Sequence, residues 1–278
     1  MATKFLPLMM TGAISTNGMK GACYSAAERE KMYLESMAFY ISDLFMNNSD
    51  RKLVFAENSG WDLTRFKAEI KERFPTIFNR IEWISVDPAK CDVSRGKGYN
   101  ELIMMTDAVL RSSAIQDAGA FMKVTGRYPV YNMRHYLEQA EYYIFEKGYL
   151  YYGDMKDHKI YDILFPHNTK KWNGHVAEEV LEAATNQFYL DVLAPTYRDC
   201  NDYTDDHIEN VWFRLLKPYR GKKDSKMILR FDEEPFCGGR QGSTNTTFFF
   251  SQDNQSSLAR FKRGVRNFTR RFLPWLWI

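Results

Sequence analysis

The feature that most restricts how this chain can fold is an alternation running through its first half. Short apolar runs end in glycine or polar turns, and amphipathic stretches of helical spacing separate them. KFLPLMMTGA reads as a buried strand, and residues 26–46 as a helix with Met32, Leu34, Met37, Ala38, Ile41 and Leu44 on one side. KLVFAENSG is a second strand running into a polar turn, and a charged helix over 62–74 is stopped by Pro75. RIEWISV is a third strand, and the glycine-rich RGKGYNE opens a helix over 100–114. The strand AFMKVT, a helix over 133–147 and the strand YLYYG complete the series. Repeated βα units predict an α/β fold with a mostly parallel central sheet flanked by helices. The second half is less regular. There GHVAEEVLEAATNQF (174–188) reads as a helix, 196–210 as an aspartate-rich loop and KMILRF as a strand.

In open parallel sheets, ligands bind beyond the carboxyl ends of the strands. Three of the opening strands deliver polar or glycine-containing turns there: Thr11-Gly12, Glu57-Asn58-Ser59-Gly60 and Thr125-Gly126-Arg127. An arginine at the end of a core strand needs either a carboxylate partner or an anionic ligand, and Tyr128 beside it either packs or stacks on that ligand. RGKGYNE offers backbone N–H groups, two cations and a helix start, which suit a phosphate; a plain helix-start loop has the same composition. It has neither P-loop nor dinucleotide-binding spacing. CGGRQGS (237–243) pairs glycines with Arg240 in a similar way.

Candidates for acid–base work are Glu57 on the strand-end rim, Asp154 after YLYYG, and Glu178 or Glu179 on the expected helix 174–188. An unpaired carboxylate among Val176, Val180 and Leu181 would have a raised pKa; an exposed helical glutamate is the alternative. His167, His175 and His207 have no metal-ligand spacing, and the four cysteines have no pairing pattern, which argues for free thiols in a reducing compartment and against a structural zinc site.

Charge excludes one class of partner. Net charge is +3, but six of the 38 cations and no anion follow Asp253, so the rest of the chain is slightly acidic and no nucleic-acid partner is expected. The basic segment places Leu258, Phe261, Val265, Phe268 and Phe272 at three- and four-residue steps, with PWLWI beyond. It reads either as a peripheral membrane element or as a helix docked on the core. No run approaches the ~18 apolar residues of a membrane span, and MATKFLPLMMTGAIST is too short in its apolar part for a signal peptide. The expected location is cytoplasmic, with peripheral membrane contact open.

Taken in order, AEREKMY, FAENSG, RGKGYNE, MKVTGRYPVYN, HVAEE and CGGRQGS resemble a group of small glycosyltransferases from bacterial surface-polysaccharide clusters and large DNA viruses of algae, chlorovirus xylosyltransferases among them. The resemblance runs over roughly residues 8–245 and is strongest at ENSG, GKGYNE and KVTGRY. It implies a GT-A-like fold, with 1–150 binding a nucleotide sugar, 151–250 carrying acceptor and catalytic residues, and 251–278 forming the basic helix. It also implies transfer from a nucleotide sugar, a UDP-sugar favoured and xylose among the candidates, to a hydroxyl of a glycan or glycoprotein acceptor. Donor-binding residues would be Thr11, Gly12, Glu57, Asn58, Ser59, Arg95, Lys97, Gly98, Lys123, Thr125, Gly126, Arg127 and Arg240; Glu178 or Asp154 would be the base of an inverting reaction. Many GT-A enzymes hold a metal with Asp-x-Asp at the end of the fourth strand. Here that place reads Thr125-Gly126-Arg127, so Arg127 is expected to supply the positive charge, Gly126 to let the backbone approach the donor, no cofactor to be tightly bound, and a divalent metal to be allowed but not required. The competing class is a non-catalytic, membrane-associated scaffold.

Overall fold

The computed structural model describes residues 5–19, 23–46, 50–158, 163, 174–239, 256–273 and 276–277. A seven-stranded sheet runs through it in the order β3-β2-β1-β4-β8-β5-β9, and β6 and β7 form a separate two-stranded sheet. The strands are β1 Leu8–Gly12, β2 Leu53–Glu57, β3 Ile81–Ser85, β4 Ala120–Thr125, β5 Tyr151–Tyr152, β6 Met155–Asp157, β7 His175–Ala177, β8 Leu181–Thr185 and β9 Met227–Ile228. The first four pair in parallel, with Met10 opposite both Phe55 and Val124. The fold is the expected α/β arrangement with a mostly parallel sheet.

β1 and β2 are buried along their whole length and apolar up to Thr11 and Glu57 near their carboxyl ends, as strands covered on both faces must be. One face packs under α1 (Ala26–Tyr40), α2 (Thr64–Arg73) and the helix Met133–Glu141, around Met10, Tyr40, Phe55, Phe66 and Tyr136. The other packs under the helices Lys97–Arg111 and Ile208–Leu216, around Val54, Leu102, Phe121, Tyr189 and Trp212. α1 starts with a capping box in which Ser25 accepts from the Glu28 N–H and the Glu28 carboxylate accepts from the Ser25 N–H.

The segment 174–188 departs from its expected helix. It forms β7 and then β8, joined by Glu178–Val180. β8 lies between β4 and β5 and is antiparallel to both, with Lys123 opposite Glu182. Helical propensity is worth only tenths of a kcal/mol per residue, and pairing on both edges outweighs it. Glu178 and Glu179 therefore lie in a strand connection rather than on a helix face.

The C-terminal helix Ser257–Phe272 forms as its spacing predicts. It is fastened by Arg270, whose two terminal nitrogens donate to the two oxygens of Asp154, each at 2.8 Å. Asp154 also accepts from the Phe231 N–H. Trp277 is buried beneath the guanidiniums of Arg230 and Arg270, with its ring centroid 4.1 and 5.0 Å away, so this tryptophan serves the core.

Candidate functional site

An open cleft lies beyond the carboxyl ends of β1, β2 and β4, at the start of the helix Lys97–Arg111. Its walls include Thr11, Gly12, Asn58, Ser59, Lys97, Thr125 and Arg127, seven of the residues picked out from the sequence. They are joined by Arg29 and Tyr33 of α1, by Ser15 to Asn17 in the loop after β1, and by Asn100 and Glu101.

The loops are held by buried polar groups. The Glu57 carboxylate is fully buried and accepts from the N–H groups of Ile14 and Ser59, each at 3.0 Å. It shapes the two rim loops from beneath and does not line the cleft. Asn58 donates to the Asn100 carbonyl at 3.0 Å, and Asn17 to the Ser59 carbonyl at 3.0 Å. Asn100 in turn donates to the carbonyls of Gly96 (2.6 Å) and Asp92 (2.8 Å), closing the glycine-rich turn. Gly96 has φ 86° and its Cα faces the Asp202 side chain, where a Cβ would come within 2.5 Å.

Three cations meet at this rim. Arg29 is buried and donates from Nε to the Ala13 carbonyl at 2.8 Å. The Lys97 backbone N–H donates to Asp202 at 2.6 Å, and its ammonium lines the cleft. The Arg127 guanidinium lies 4.9 Å from the Tyr128 ring centroid, and its buried Nε and Nη1 have no hydrogen-bond partner. Burial depresses the pKa of both Arg29 and Lys97, and repulsion from Arg127 adds to it. Burial also works against charge on Arg127, but Tyr33, Tyr128 and Glu101 outweigh it and hold its pKa above the usual value. Glu101 is the carboxylate among the described lining residues, and it already accepts from Lys123 Nζ and Thr11 Oγ1, each at 2.9 Å.

Other expected site residues have structural surroundings. Lys123 is fully buried behind Glu101, 3.8 Å from Glu182. Burial raises the pKa of both Glu179 and Glu182, and their mutual proximity adds to it for Glu179. Arg95 donates to the carbonyls of Cys200 and Arg198, each at 2.8 Å, and caps the turn there. A Cβ on Gly98 would meet Ile208 at 2.9 Å, so that glycine admits the helix Ile208–Leu216. Gly126 lets its backbone approach Thr11, whose carbonyl would be 2.7 Å from an added Cβ, so the close contact is with β1. Glu178 pairs with Lys156 and Asp154 with Arg270; neither lines the cleft. Arg240 lies outside the described residues.

Arg29 and Tyr33 escaped the strand-end rule because they project from α1, one helical turn apart. Ala13 donates its N–H to the Tyr33 hydroxyl at 2.9 Å, so both side chains grip the loop after β1. Their signal was present in AEREKMY, where an arginine and a tyrosine at i and i+4 share a face. Among the described residues, no group of three or more His, Cys, Asp or Glu side chains converges as a metal site.

No protein-family profile and no curated protein sequence matches the chain. Among solved structures it is similar to an active-site mutant of LgtC, with TM-score 0.44 and 9% identity over 75% of this chain and 70% of the other. It is also similar to the bifunctional glycosyltransferase WbbM in its apo form, with TM-score 0.46 and 7% identity over 96% of this chain and 44% of that longer one. A third likeness is to the mannosyltransferase Ktr4p from S. cerevisiae in complex with GDP, with TM-score 0.43 and 10% identity over 94% and 82% of the two chains.

Proposed function

We propose that the chain is a glycosyltransferase that binds the diphosphate of a nucleotide sugar at the junction of Arg127, Lys97 and Arg29. One observation carries this reading: Arg127 keeps two buried nitrogens without a partner at the end of β4, between two other cations. Buried polar atoms are normally satisfied, and a guanidinium is matched to the paired oxygens of a phosphate group. The cations are already mutually repulsive, so a polyanion entering there relieves strain as well as forming bonds. The rim Thr11, Asn58 and Ser59 then faces the nucleoside.

Among the described lining residues, the donor set does not suit a divalent ion. The lining carboxylate Glu101 is engaged by Lys123 and Thr11, and the position after β4 is a guanidinium. We therefore place the stabilisation of the departing nucleoside diphosphate on Arg127, aided by Lys97. Glu178 and Asp154 are tied into ion pairs outside the cleft. The base assigned to an acceptor hydroxyl is Glu101 through Oε2, since Lys123 and Thr11 both meet its Oε1 and a base must first reach the proton it takes.

Thermal unfolding with UDP-xylose, UDP-glucose, GDP-mannose and the free nucleotides, each with EDTA or manganese, tests this. A donor at 100 times its Kd stabilises by about 2.7 kcal/mol. The expected result is a shift with one nucleoside diphosphate sugar that persists in EDTA and disappears in Arg127→Met. A shift that requires manganese overturns the role given to Arg127, and the lack of any shift overturns the transferase.

A further inference from the structure

The C-terminal helix is oriented opposite to the usual way an amphipathic helix packs. Its polar side is the docked side: Arg270 reaches Asp154, Asn267 accepts from the Glu234 N–H at 2.9 Å, and Arg263 lies 3.9 Å over the Phe236 ring. Ala259, Thr269 and Arg270 are buried on that side. The apolar side faces outward. Leu258, Phe261, Phe268 and Phe272 are 59%, 68%, 57% and 66% exposed, and Val265 lies between them on the same stripe. Docking through the Asp154–Arg270 pair fixes this orientation, because turning the apolar stripe inward would leave a buried carboxylate without its cation.

An outward row of three phenylalanines and two aliphatic residues on a rigidly held helix calls for an occupant. Charge identifies it. Lys262 flanks the stripe on one side and Arg260 on the other, both exposed, and the segment after Asp253 contains no acidic residue. Two copies meeting stripe to stripe in an isologous contact would bring these cations together. An anionic bilayer instead accepts the phenylalanines below its headgroups and the cations among them. We infer that the helix Ser257–Phe272 is a preformed docking face for an anionic lipid surface. It lies in the plane of the interface along its length of about 24 Å and inserts Phe261, Phe268 and Phe272. The proposal is independent of the chemistry assigned to the cleft.

The test uses the full chain and sedimentation with vesicles of phosphatidylcholine alone or mixed with phosphatidylglycerol. The wild type is expected to sediment with the mixed vesicles and to be released by high salt. The triple variant Phe261→Ser, Phe268→Ser, Phe272→Ser is expected to stay in the supernatant with an unchanged melting temperature, since all three side chains are exposed. Arg260→Gln with Lys262→Gln is expected to lower partitioning roughly thirtyfold. A wild type that ignores both vesicle types overturns the proposal, as does a triple variant that sediments equally well. A doubled mass in light scattering, halved in the triple variant, assigns the stripe to a second copy and also overturns it.

Discussion

Arg127 and Arg270 are both largely withdrawn from water, yet the regions around them treat a guanidinium in opposite ways. At the dock of the C-terminal helix, Arg270 meets a fully buried aspartate in a two-pronged pair, and the Phe231 carbonyl accepts from it as well. At the cleft, Arg127 has aromatic neighbours but two nitrogens without acceptors. One site is complete in itself, and the other leaves two donors unmet, which on the proposed reading an anion would satisfy. Burial alone therefore says little about what a charged residue is for; the count of its satisfied donors says more.

The sharpest way to break this contrast is to remove one charge from each region. Asp154→Ala leaves Arg270 buried and unpaired and is expected to cost about 3–5 kcal/mol in denaturant unfolding. Arg127→Met is expected to leave the ligand-free protein as stable as before, or more so, because it removes a group that burial leaves unsatisfied. If the two substitutions cost the same, Arg127 has a structural role and the contrast fails.

A third buried cation, Lys123, tests the intermediate case of one ammonium shared among Glu101, Glu182 and Glu179. Burial raises the pKa of Glu182 and Glu179, so the folded protein keeps protons that the unfolded chain releases. Their stabilisation is full below the ordinary carboxylate range and is lost as pH rises towards the raised values. The slope is at most about 1.4 kcal/mol per pH unit for each proton. Glu182→Gln is expected to flatten that decline in melting temperature measured from acid to mildly alkaline pH; an unchanged profile would show that the carboxyl titrates normally. The smallest effect is expected at the Ser25 cap of α1, where Ser25→Ala should cost about 1 kcal/mol in thermal unfolding. The donor-induced shift should survive it, because Arg29 and Tyr33 are held by the Ala13 backbone.

The first half of the fold was legible because central parallel strands are continuous apolar runs, and the amphipathic helices between them have a different period. The strand-end rule then located Thr11, Asn58, Ser59, Thr125 and Arg127 at the cleft. It could not separate Glu57 from them, since a carboxylate that builds a loop and one that faces a ligand occupy the same kind of position in a sequence. β8 was misread for a physical reason: LEAAT and its flanks favour a helix locally, and only the neighbouring β4 and β5 make them a strand. The partner of Asp154 was equally invisible, being 116 residues away. Composition did identify the amphipathic tail, but not which of its sides the core would take.

The position of β8 also decides how the chain can be divided. β4 is an interior strand only because β8, more than fifty residues later, closes its free edge and brings Glu182 opposite Lys123. A fragment stopping after β5 would keep the cleft residues of β1, β2 and β4 in sequence, yet expose a row of unpaired backbone groups along β4. The same cut would leave the Lys123 ammonium without one of its carboxylates. Both halves thus contribute strands to one sheet, and recombining either with a foreign partner would require that partner to supply a reversed strand with an acid at its centre.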